Sequence, residues 1–157
     1  MANPLVDLKT LLQQDLVSLD ELNDLLRAER KALARNDMAE VEALVVKKNE
    51  LLDLLRARAH EKVRHLVAAG YQSSTGHPST FIGQLKDPAL EQLWSAANNA
   101  MSNCQAANTV NGQVINHLQK RVGRLSEIIR GASPGQKLYG SAGREEALSH
   151  KTVLANA

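Results

Sequence analysis

Aromatic side chains are scarce: one Trp, two Tyr and one Phe among 157 residues. Compact β-rich and α/β cores lean on aromatic and β-branched residues, so this scarcity points to a Leu/Ala core of helix packed on helix. Cysteine is nearly absent too. Cys104 stands alone, which excludes an intramolecular disulfide and favours a reducing compartment. No apolar run approaches the roughly 20 residues of a membrane span, and no charged start leads into an apolar stretch. Neither stable membrane insertion nor a signal peptide is expected, and the chain reads as a soluble cytoplasmic protein. The net charge is only +2, too small by itself to imply nucleic acid. Its distribution is uneven. From His117 onward seven Lys/Arg stand against three acids, so the last quarter is basic and the rest slightly acidic.

Leucine is what the chain has in quantity. Leu5, Leu12, Leu19, Leu26 and Leu33 recur at every seventh position. Leu8 and Leu22 fill the interleaved positions, where Asp15 and Glu29 interrupt, and Leu16 and Leu25 widen the stripe. This is an amphipathic helix with a coiled-coil-like seam, entered through Pro4. The pattern pauses at "ARNDMAE". Asn36 suits a helix C-cap, and Asp37 with Glu40 is a capping-box-like pair opening a second helix. So short a connection predicts an antiparallel hairpin. The second stripe runs Val41, Leu44, Val45, Lys48, Leu51, Leu52, Leu55, Ala59, Val63, Leu66 and stops at Gly70.

"GYQSSTGHPS" has no periodicity and reads as a loop. "STFIGQL" is expected to form a short helical turn. Asp87-Pro88, as N-cap and first helical residue, opens a third long helix. Its apolar spacing continues through Asn111-Gly112, the strongest short hairpin signal in the chain. A hairpin needs β-alternation on both sides, and "QVINHLQKRVGRLSEII" keeps helical spacing instead. Gly112 and Gly123 each cost such a helix roughly 1 kcal/mol relative to alanine. Gly112 is singled out as the point of helix flexibility, serving close backbone approach or letting one half of the helix swing.

The expected fold is all-α: an antiparallel helical hairpin plus a long third helix, a three-helix coiled-coil-like bundle with a flexible C-terminal tail. Helices are placed at about 4–35, 37–69 and 88–130, the loop at 70–87, the bundle domain at 1–131 and the tail at 132–157.

Catalytic patterns do not assemble. "HEKVRH" spaces its histidines i, i+5, about 140° apart on a helix at about 100° per residue, so they cannot share a metal. "GASPGQK" lacks the Lys-Ser/Thr ending of a phosphate loop and follows a helix rather than a strand. Neither an enzyme, a metal nor a cofactor is expected. Glu29 lies within a turn of Lys47 and Lys48 across the hairpin. Two readings stand, a register-fixing ion pair or two solvated charges.

The third helix, near 65 Å, is longer than the hairpin at about 45 Å. Its second half carries Val114, Ile115, Leu118, Val122, Leu125, Ile128 and Ile129, interleaved with Lys120, Arg121, Arg124 and Arg130. An apolar stripe in surplus of its internal partner marks a binding site, and helix-in-groove recognition is the mode it suits. Its alternatives are folding back on the hairpin or burial in a homodimer. Nucleic acid is disfavoured by the lack of interleaved aromatics, and a membrane surface by the lack of Trp or Phe on the apolar face.

The ordered landmarks resemble the FlgN family of flagellar export chaperones. They are "LNDLLRAERKALARNDMAEVEALVVKKNELLDLL" in the hairpin, "NGQVI" within the third helix, "RLSEIIRG" at its end, and "LYGSAG" in the tail. The resemblance implies a cytoplasmic chaperone whose clients are the hook-associated proteins FlgK and FlgL. It implies that the chaperone holds their C-terminal helical segments, prevents premature assembly and delivers them to the export gate component FlhA. It places client binding on Val114 to Ile129, the same stripe, and gate docking on Leu138, Tyr139 and Gly140. Tyr139 packing on the bundle end is the plainer alternative. A structural coiled-coil scaffold or dimer is the rival to the chaperone reading.

Overall fold

A computed structural model of the protein describes residues 2–131. Their regular structure is helical: α1 (Pro4–Ala34), α2 (Met38–Ala68), α3 (Pro78–Gln84) and α4 (Pro88–Gly131), with a single 3-10 turn at Ser73–Thr75. The turn expected near "STFIGQL" is α3, a helix of 7 residues with Pro78 in its first turn.

Each boundary has a local cause. Asn3 caps α1 by accepting from the Leu5 N–H at 3.1 Å, with Pro4 behind it. Both long helices of the hairpin end in the same hydrogen-bonded closure. At the end of α1, Asn36 takes φ 57; its N–H donates to Leu33 O and that of Asp37 to Ala32 O. At the end of α2, Gly70 takes φ 111; its N–H donates to Val67 O and that of Tyr71 to Leu66 O. This is the Schellman closure, which needs a left-handed residue just past the helix, glycine by preference and asparagine by tolerance. It also corrects the capping-box expectation. The Asp37 carboxylate does accept from Glu40 N–H at 3.2 Å. The Asp37 N–H is already committed to Ala32 O, so the reciprocal half of the box has no donor left.

α1 is the central element. α2 packs along it antiparallel, joining Glu29 to Lys48 and Asp15 to Lys62. α4 packs along it parallel, with Leu19 facing Cys104 and Leu26 facing Asn111. Three core clusters follow one another up the bundle. The base holds Leu8, Leu12, Leu66, Ile82, Leu90 and Ala97, with Tyr71, Phe81 and Trp94 against them. Three of the four aromatics thus gather where α3 closes the bundle end, and Trp94 Nε1 donates to Ser79 Oγ at 3.0 Å. The middle holds Leu19, Leu22, Leu26, Leu55 and Cys104. The top holds Ala32, Leu33, Val41, Leu44 and Ile115.

The upper part of α2 follows its expected stripe; the lower part departs from it. Ala59 and Val63 are exposed, and Arg58 and Lys62 turn toward α1 instead. The reason is Asp15, the first interruption of the leucine seam, which is 1% exposed. Its carboxylate pairs with Lys62 and with Arg58, whose guanidinium also donates to Ser18 Oγ at 2.6 Å and Gln14 O at 3.1 Å. A buried carboxylate left unpaired is costly, so the facing helix presents cations where periodicity alone would place small apolar groups.

Asp87 ties the base together. It caps α4 by accepting from Leu90 N–H at 3.2 Å, and Lys9 of α1 lies 2.7 Å from its other oxygen. The Lys9 hydrogen bond, then the Leu90 N–H, hold its carboxyl below the usual Asp value. A folded-state carboxyl held low contributes stability that is whole above the unfolded pKa, about 3.9, and lost as pH falls through the lower folded value. Asp87→Asn keeps a capping side chain and removes the charge. Its melting temperature should therefore lie below wild type by a steady margin from about pH 7 to 5 and converge with it below about pH 4. A margin unchanged at acid pH would contradict this assignment.

Candidate functional site

α4 is one helix through Asn111-Gly112. The reason the pair does not turn the chain is visible in its side chain. Asn111 is 1% exposed and points into the seam between helices. Its amide donates to Leu26 O and to Glu29 Oε1, each at 2.9 Å. The same Glu29 carboxylate accepts from Lys48 Nζ at 3.0 and 3.3 Å, and Lys48 Nζ also donates to Asn108 Oδ1 at 2.9 Å. Glu29, Lys48, Asn108 and Asn111 form one buried set joining all three long helices. Among the described residues no buried side-chain nitrogen or oxygen lacks a partner. Of the two readings of Glu29 and lysine, the ion pair is the one found, through Lys48; Lys47 is exposed. Sequence reasoning missed the two asparagines. Their signal was present, since Asn108 and Asn111 fall on the apolar face of α4 while Asn98, Asn99, Asn103 and Asn116 face solvent.

Gly112 is buried beside Asn111 in an unbroken helix. Cys104 is buried in the middle cluster, its thiol pushed up by burial and then by the negative charge of Asp20. That keeps the thiol protonated and poorly nucleophilic at neutral pH. A narrow apolar cleft of about 200 Å³ lies beside it, between α2 and α4, lined by Leu22, Leu52, Leu55 and Met101. It is smaller than typical ligand pockets.

The length of α4 decides the rest. α4 has 44 residues and α1 has 31, about 66 Å against about 46 Å. Partners on α4 and α1 differ by 82 to 85 in number. Carrying that offset to Ala34, where α1 ends, reaches residues 116–119 of α4. Beyond them α4 runs on for about 20 Å with no other described element alongside it.

This divides the seven residues singled out on α4. Val114, Ile115 and Leu118 belong to the top core cluster, with Ile115 8% exposed. Val122, Leu125, Ile128 and Ile129 stand uncovered at 62%, 54%, 71% and 74%. The stripe is continuous in sequence, but the hairpin tip covers its first half. Leu138, Tyr139 and Gly140 lie outside the described residues.

The class these elements define is an all-α bundle with one overlong helix whose apolar end is exposed among the described residues. A family model described as FlgN protein matches residues 1–147. The chain belongs to the FlgN family, the flagellar export chaperones. Neither comparison with curated proteins nor comparison with solved structures returns a match. Among the described residues no helix is long and apolar enough to cross a membrane.

The buried set can be tested by stability. Removing one member of a buried ion pair leaves the other charge uncompensated, which costs about 3–5 kcal/mol. Glu29→Ala should lose that much in urea unfolding. Glu29→Leu combined with Lys48→Met should recover at least half of it, because no buried charge is then stranded. Equal losses in the two variants would mean that packing, not charge, dominates at this layer.

Proposed function

We propose that the protein binds the C-terminal helical segments of FlgK- and FlgL-type hook-associated proteins in the cytoplasm, with the free end of α4 as the contact. The chaperone class follows from the family; the clients and the site are our reading. One observation carries the site. Val122, Leu125, Ile128 and Ile129 form an apolar stripe on a continuous helix with nothing among the described residues covering it. Contiguous exposed apolar surface of this kind marks a protein-binding patch in a soluble chain. A client helix laid along it hides its own assembly face while it is held. Burial returns about 25 cal/mol per Å² of apolar area, and the ordering of a helical segment offsets part of that gain. The balance leaves a complex that can be released. Delivery then requires contact with the export gate component FlhA, and we assign that contact to Leu138, Tyr139 and Gly140. Val114, Ile115 and Leu118 support the site by fixing α4 on the hairpin rather than by touching client. Gly112 allows close packing of α4 there.

The test uses the exposed residues, because a charge at Ile115 would disturb the core as well as any client. Leu125→Asp and Ile129→Asp should each weaken binding of a FlgK-type C-terminal segment by at least about thirtyfold, the scale of an interface hot spot. Thermal stability should stay within about 0.5 kcal/mol of wild type, as for surface changes generally. Calorimetric titration beside circular dichroism melts measures both. Wild-type affinity in both variants would move the site elsewhere. A wild-type chain that binds no such segment, and forms a tight homodimer instead, would favour the scaffold reading.

A further inference from the structure

We infer that the free end of α4 selects a helix of acidic flank: three to four turns long, apolar on one face, with Asp or Glu along the edge of that face. The inference rests on the proposed client site and specifies the chemistry of its occupant. Two geometric facts limit the occupant. α4 runs about 20 Å beyond the hairpin, the length of about 13 helical residues. The hairpin tip, from Arg35 to Met38, is exposed and closes the lower end of that stretch as a shelf. A short helix laid on α4 above the shelf would occupy the place that α1 occupies below it. It would meet the continuation of the same α4 seam that packs on α1 inside the bundle.

Charge sets the sign. At about 100° per residue the uncovered stripe spans roughly a third of the helix circumference. Arg121 and Arg124 lie along its Ile128 edge, with Lys120 just behind. The opposite edge carries Gln119 and Ser126, which are uncharged, with Arg130 behind them, and Glu127 lies on the back of the helix beside Lys120. Lys120, Arg121 and Arg124 are exposed and enter no ion pair among the described residues. The shelf adds no positive charge, with Arg35 beside Asp37 and Glu40. Among the described residues the Ile128 edge, flanked directly by Arg121 and Arg124, is therefore the more positive of the two edges. An incoming helix with carboxylates on the matching edge gains at Arg121 and Arg124 together, and one with lysines there is repelled. The one-sided rim also orients the partner, since a helix turned end for end moves its acidic edge to Gln119 and Ser126. A lipid surface would also offer negative charge. Interfacial helices anchor through Trp or Phe, and residues 119–131 contain neither.

Three synthetic 14-residue amphipathic helices test this, alike in their apolar face and carrying Glu, Gln or Lys along one edge. They are titrated by fluorescence anisotropy against the full-length protein. The Glu peptide should bind about three- to tenfold tighter than the Gln peptide, the scale of a few rim ion pairs. The Lys peptide should be weakest, and the differences should shrink as salt rises. Arg121→Glu with Arg124→Glu should reverse the order of the Glu and Lys peptides. Leu125→Asp should weaken all three. Equal binding of the three peptides, or a ranking untouched by charge reversal, overturns the inference. So does preferential binding to phosphatidylglycerol over phosphatidylcholine vesicles that displaces the Glu peptide. The client reading is judged separately. If a FlgK-type segment loses affinity on Leu125→Asp but not on Arg121→Glu with Arg124→Glu, the site stands and the charge selection falls. If it is indifferent to Leu125→Asp as well, the site falls.

Discussion

One buried carboxylate fixes how the long helices lie against each other. Leucine seams are permissive, because a slide of one heptad still sets leucine against leucine. Glu29 removes that freedom. It is 1% exposed, faces Lys48 of α2 on one side and is held by Asn111 of α4 on the other. A one-heptad slide of α1 along α2 would oppose Lys48 with Leu22 or Asn36 and strand a buried ammonium. Asp15, two heptads earlier, holds Arg58 and Lys62 by the same logic. The two interruptions in the leucine pattern are therefore the positions at which α1 and α2 are indexed.

That indexing determines what is exposed at the far end. With α4 set on α1 by Asn111 to Leu26 and Glu29, the hairpin tip falls beside residues 116–119. Beyond that point Val122, Leu125, Ile128 and Ile129 are exposed among the described residues. On the proposed reading, a chaperone that presents an apolar surface while keeping its own core closed faces opposing demands, since exposed leucine and isoleucine also invite collapse onto the bundle. The solution here is length. The stripe lies on a helix whose lower two thirds are clamped, so it extends away from its own core. The buried polar set and the exposed stripe are thus two parts of one arrangement, joined through a continuous α4.

Much of this architecture is written locally. Heptad leucines, Pro4, the Asn36-Asp37 break, Gly70 and Asp87-Pro88 each act within a turn or two of their own position, so helix ends can be read from them directly. The periodicity on both sides of Asn111-Gly112 outweighs its turn chemistry for the same reason: a helical stripe repeated over many turns is stronger than one dipeptide. What local pattern could not reveal was the inward turn of Arg58 and Lys62. Charged residues read as surface until the position opposite them is known, and that position lies more than forty residues away.

The sequence by itself determined that the chain is helical, where its helices begin and end, and that α4 is longer than its partners and apolar toward its end. Only the tertiary structure decided which half of the Val114–Ile129 stripe is core and which is surface, and that Asn111 is a buried clasp instead of a turn. The physical reason is the same in both cases. Periodicity is a property of one helix, whereas burial depends on where a second helix stops.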